Sequence, residues 1–236
     1  MKRLLDPLAL AGFGLAAAFA VAQGWSLPAF CWSTWLAGLL YAWSCVVSGA
    51  VQIIATAPFH RATYTRRFPS LGKLSTPLLS LGVVAVAVPV AIAALYLYAF
   101  VFGLYGLLLS FFAEMEPHAL FGRNGFINSD FTESVSYLAR SYWPMAAGAL
   151  LANATLLYHT EPWQRMLNPA STEIVRIHVL VVVMPIIALV GWALFGDSYH
   201  TITIVLLMGV FYLLPRGTEK AFAIGSVAGG QSRSEG

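Results

Sequence analysis

Apolar residues in this chain do not alternate with polar ones. They fall in long unbroken runs separated by short polar segments. The first run, Leu8 to Ala22, follows Lys2 and Arg3; the second, Phe30 to Ala57, is closed by Pro58 and the polar stretch His60-Arg61-Ala62-Thr63-Tyr64-Thr65-Arg66-Arg67. A third begins near Pro77 and stays apolar to Phe112. About 20 apolar residues cross a hydrocarbon core of roughly 30 Å, so each run predicts a membrane-spanning helix. The third is too long for one perpendicular crossing: either a single long helix bends near Pro89 and projects beyond the membrane, or two short helices share the run. In the polar region that follows, Asp130 and Glu133 have capping-box spacing. Phe131, Val135, Leu138 and Tyr142 follow at helical intervals, predicting a short amphipathic surface helix near 130–142. Further spans are predicted over Tyr142–Tyr158, Ile174–Phe195 and Tyr199–Leu214. The pattern therefore describes an all-α fold, a polytopic transmembrane bundle of six spans forming one domain over 1–214, with 215–236 as a flexible cytoplasmic tail.

Composition sharpens this reading. Of 236 residues, 59% are hydrophobic and 10% charged, against about 25% charged in soluble domains. That excludes an ordinary water-soluble globule and a disordered chain alike. The net charge of +3 is read as orientation in a bilayer, not as a nucleic-acid surface. With six crossings and a cytoplasmic N-terminus, eleven of the 13 basic residues fall inside, leaving Arg123 and Arg140 outside. Splitting the third run, or removing the sixth crossing, divides them eight to five. The positive-inside rule thus favours one long third helix and both termini in the cytoplasm. Ala20-Val21-Ala22 has the form of a signal-peptidase site, but Asp6 does not suit a basic leader, so an uncleaved first helix is expected. Trp25, Trp32, Trp35, Trp143 and Trp192 fall near the outer boundary and Tyr64, Tyr158, Trp163 and Tyr212 near the inner one, as headgroup anchors do. Trp43 sits mid-helix, where its indole N–H needs a partner on another helix.

The candidate chemistry is sparse. No Asp, Glu, Lys or Arg falls in the central part of any predicted span, which argues against ion-coupled transport. In the second helix Ser44, Ser48, Gln52 and Thr56 recur every four residues beside a small-residue stripe of Gly38, Ala42, Cys45 and Gly49. Such a face serves close helix packing or, alternatively, lines a substrate cavity. Cys31 and Cys45, about 21 Å apart along one helix, cannot be bridged. His60, His159 and His178 are expected at the cytoplasmic ends of helices. They are structural or interfacial, or they bind a divalent metal, or His159 and His178 ligate haem b. Glu173, Arg176 and Ile177 share a face, suggesting a Glu173–Arg176 ion pair; Arg61, Arg66, Arg67, Lys73 and Arg176 alternatively form a headgroup-binding cluster. There is no Gly-x-Ser-x-Gly motif for serine hydrolysis and no glycine loop to cradle phosphate.

Trp25 followed by Trp32 and Trp35 at the opening of the second helix, the unusually long third helix, and Arg176 with His178 together resemble an uncharacterised family of bacterial multi-pass inner-membrane proteins. The Tyr-Trp-Glu signature associated with that family's second helix is replaced here by Thr34-Trp35-Leu36. The resemblance implies a location and no activity. The residues themselves point to a non-enzymatic structural or accessory subunit of a membrane complex, with the lipid bilayer and other membrane subunits, or further copies of itself, as partners. The alternatives are a carrier or flippase for a neutral or lipidic substrate, and a haem or metal redox protein.

Overall fold

A computed structural model describes residues 7–59, 75–111, 113, 130–195 and 203–209. The described residues are helical, without strands. Six helices follow in order: α1 (Pro7–Ala22), α2 (Leu27–Thr56), α3 (Thr76–Leu109), α4 (Phe131–Ala152), α5 (Ala154–His159) and α6 (Pro162–Phe195). A further helical segment covers 203–209. Among the described residues, α2 and α3 are long and apolar enough to cross a membrane.

Local chemistry sets the ends of these helices. Between α1 and α2 the chain turns at Gly24, whose φ of 59° suits a residue without a Cβ. The Trp25 N–H there donates to the Ala20 carbonyl at 2.9 Å, closing the end of α1. Ser26 caps α2, its hydroxyl accepting from the Ala29 N–H at 3.3 Å, with Pro28 in the first turn. The third run is one helix of 34 residues with Pro89 inside it, about 51 Å long. Asp130 stands at the N-cap of α4, but its side chain makes no capping hydrogen bond.

Two expectations are corrected here. The segment from 131 is the expected amphipathic helix, bounded where the backbone leaves helical geometry at Tyr142, but it does not lie on an outer surface. It continues as α4 through a kink at Tyr142 (φ −125°, ψ 21°), and its apolar face packs on α2, with Phe131 against Trp35 and Trp43 at ring-centroid separations of 5.8 and 6.5 Å. Beyond the kink, α4 packs on α1 instead, with Trp143 edge-on to Phe19 and the Gly148 carbonyl against Gly12. The second correction concerns α6. It starts at Pro162, twelve residues before the expected Ile174, and runs through Pro169 and Pro185.

α2 is the hub, packing against α3, α4 and α6. Paired contacts fix directions: Trp35 meets Phe102 and Trp43 meets Leu95, while Gln52 meets Arg165 and Gly38 meets Glu173. α3 and α6 therefore both run antiparallel to α2. One core gathers the aromatic residues of α2 with α1, α3 and α4. A second joins Ala42, Val46, Ala50 and Ile53 of α2 to Ala87, Ala91 and Tyr98 of α3 and Met166 of α6.

Candidate functional site

The small-residue stripe works as a packing face. Gly38, Ala42, Cys45 and Gly49 are all buried. A Cβ on Gly38 would meet the Phe102 ring at 3.0 Å, and one on Gly49 would meet Met166 Cγ and the Pro162 carbonyl at 2.7 Å each. These contacts leave no room for a side chain, so glycine sets how closely α3 and α6 approach α2. Cys31 and Cys45 are buried and unbridged.

The tryptophans of α2 tie it to α3 and to the chain just past the end of α3. The Trp32 Nε1–H donates to the Ala113 carbonyl at 2.7 Å, Trp35 to Phe102 at 2.7 Å and Trp43 to Leu95 at 3.3 Å. The partner expected for Trp43 is thus found on a neighbouring helix. Trp32 and Trp35, expected at a headgroup boundary, are wholly buried within the bundle, whereas Trp143, Tyr158 and Trp163 are exposed. A carbonyl has two lone pairs, so the Phe102 and Leu95 acceptors inside α3 can keep their helical bonds and take an indole as well.

Of the polar stripe, Ser48 and Thr56 donate to carbonyls of their own helix, at Cys45 (3.3 Å) and Gln52 (2.8 Å). Ser44 is half-buried beside them. Gln52 does more. Its Oε1 accepts from Arg165 Nη2 at 2.8 Å, and the same nitrogen donates to the Thr160 carbonyl at 2.7 Å.

Among the described residues, two charged groups lie inside the bundle. Arg165 is 5% exposed and Glu173 1% exposed. Because α6 begins early, Glu173 is not at a helix end. It lies beside Gly38, its Oε2 3.9 Å from where a Cβ on that glycine would stand, a glycine about 17 Å along α2 from its start. The sequence places Glu173 at the edge of a span; the structure buries it inside the helical bundle, level with Gly38 of the apolar helix α2. Ile177, one turn on, shares its buried face.

The same early start moves His178 away from the end of its helix to the seventeenth position of α6. There its exposed ring places Nδ1 3.1 Å from the Tyr105 hydroxyl of α3. His159 closes α5, its side chain outside the described set, and Arg176 lies in α6 with its side chain likewise outside. His60, Arg61, Arg66, Arg67, Lys73 and the 215–236 tail lie outside the described residues. Among the described residues, no three His, Cys, Asp or Glu side chains are grouped to hold a metal.

Comparisons of the chain with protein-family models, with curated proteins and with solved structures return no match. The functional reading therefore rests on geometry. From the sequence alone Arg165 enters only the balance of basic residues. The signal that would have found it is the spacing Arg165, Pro169, Glu173, Ile177, a four-residue repeat that continues the α6 face back to Pro162; the Asn168-Pro169 pair concealed it by resembling a loop.

Proposed function

We propose that this protein is a multi-pass inner-membrane protein of six spans with both termini cytoplasmic, serving as a non-enzymatic structural or accessory subunit of a membrane complex. The observation that carries this reading is the outer surface of α3. Leu81, Val86, Ile92, Leu97, Phe100 and Leu104 are all exposed, and only 17% of the helix's most apolar window is buried. A soluble protein rarely presents so long an apolar surface to water, whereas a bilayer or a partner's helices cover it favourably. Inside, the glycines and tryptophans of α2 are engaged in packing, which suits a scaffold. Native mass spectrometry of the protein extracted in mild detergent from its own membrane tests the role. A stoichiometric co-purifying subunit is expected, and a lone monomer removes the subunit reading.

Glu173 favours a second reading, a carrier or flippase for a neutral or lipidic substrate. A carboxylate inside a lipid-embedded bundle is costly and is retained where it acts. Vesicles containing the protein should then flip fluorescent lipids faster than empty vesicles, and Glu173→Gln should remove the acceleration. Equal rates in empty and protein-containing vesicles eliminate this alternative.

A further inference from the structure

The end of the bundle where α2 finishes and α6 begins holds a cationic group that no anion matches among the described residues. Arg165 is 95% buried, from an exposure of 5%. Its Nη2 is held by two neutral oxygens, those of Gln52 and Thr160, and its Nε–H is buried without an acceptor. Among the described residues Arg165 forms no ion pair. A buried guanidinium is stabilised by an opposite charge, and neutral carbonyls supply that only in part.

The position of this charge is informative. Helical side chains lean toward the N-terminus, and the bond to the Thr160 carbonyl shows that the guanidinium reaches back to the residue before Glu161, level with the opening of α6. Helix openings carry orphan donors and the positive end of the macrodipole. Here Pro162 has no N–H, and the Arg165 N–H already bonds the Glu161 carbonyl at 2.8 Å. The first-turn N–H groups of Trp163 and Gln164 therefore precede the first intrahelical bond. The guanidinium, anchored at the Thr160 carbonyl, and the first-turn N–H groups belong to the same end of α6, and together they are the donor types that bind phosphate. Trp163, half-exposed at the rim, offers the amphipathic ring that sits at headgroup depth.

We propose that Arg165, oriented by Gln52 and joined by the first turn of α6, seats a phosphate group at this rim, supplied by a phospholipid headgroup or by free phosphate. The headgroup source rests on the membrane reading above; the free-phosphate source does not. Glu161, exposed at the same helix opening, opposes the anion and weakens the site, so removing its charge tightens it.

The test uses full-length protein in detergent and native mass spectrometry with three probes: a short-chain phosphatidic acid, the matching diacylglycerol and inorganic phosphate. Phosphatidic acid should bind and diacylglycerol should not. Arg165→Gln should weaken binding on the order of tenfold, the loss of one charge-assisted contact, while the surface change Glu161→Gln should strengthen it. Displacement of the lipid by inorganic phosphate assigns the site to the free anion; persistence of the lipid assigns it to the headgroup. Wild-type binding in Arg165→Gln overturns the proposal, as does unchanged binding in Glu161→Gln should Arg165→Gln fail to fold. Resistance of the chain to extraction from cell membranes by alkaline carbonate tests the location separately.

Discussion

Gly12 and Gly14 lie two positions apart in α1 and predict opposite outcomes. A Cβ on Gly12 would run into the backbone carbonyl of Gly148, an atom that cannot rotate aside, while one on Gly14 would meet nothing within 4 Å. Gly12→Ala should therefore part α1 from α4 and cost about 1–3 kcal/mol, the usual range for overpacking. Gly14→Ala should be neutral or stabilise by about 0.5–1 kcal/mol through reduced backbone freedom. Thermal unfolding in one detergent, comparing both variants with the parent, checks the sign at each position. The tryptophans allow a graded experiment of the same kind. Trp35→Phe gives up a 2.7 Å bond from a wholly buried ring, whereas Trp43→Phe gives up a 3.3 Å bond from a half-buried one. A hydrogen bond contributes about 1 kcal/mol net, so Trp35→Phe should cost that plus lost packing and Trp43→Phe less. A reversal of this order in unfolding midpoints would show that the bonds do not set the α2–α3 contact.

Helices that are apolar throughout were legible in the sequence, because hydrocarbon-length runs have few competing explanations. The run from Leu8 becomes α1, the run from Phe30 becomes α2 three residues earlier, and the third run stays whole despite Pro89. What the sequence concealed was mixed-polarity helix. The opening of α6 carries Gln164, Arg165, Asn168 and Glu173, and polar residues of that density read as loop when hydropathy alone decides. The structure shows that two of them, Arg165 and Glu173, point into the bundle while Gln164 faces out. α4 conceals itself differently: its first half is amphipathic and its second apolar, and the change of partner from α2 to α1 falls at Tyr142, just before Pro144. Proline at 144 cannot donate to the carbonyl at Arg140, which makes that region the natural place for the bend. Pro144→Ala should restore a donor and straighten α4, prying its first half from α2. The measurable result is a longer Phe131-to-Trp43 separation, seen as greater accessibility of a cysteine placed at Phe131.

For the molecule as a whole, the outward surfaces of α3 and α6 share one character. Val175, Val179, Val182, Ile186, Val190 and Leu194 are exposed along α6 at intervals of three and four, an apolar helical stripe that the proposed bilayer would cover. With both native cysteines buried, single engineered cysteines report sidedness cleanly. Under the proposed topology Ser70→Cys should be protected from a membrane-impermeant maleimide in intact cells and Ser129→Cys labelled; the opposite pattern inverts the orientation, and labelling at both sites breaks the six-span layout. The row of indoles on α2 has an optical outcome as well. Trp32 and Trp35 sit in a dry interior while Trp143 and Trp163 face outward, so intrinsic emission divides into a blue, shielded class and a red one that iodide quenches, and the ratio of the two becomes a built-in gauge of whether the helices are still closed around one another.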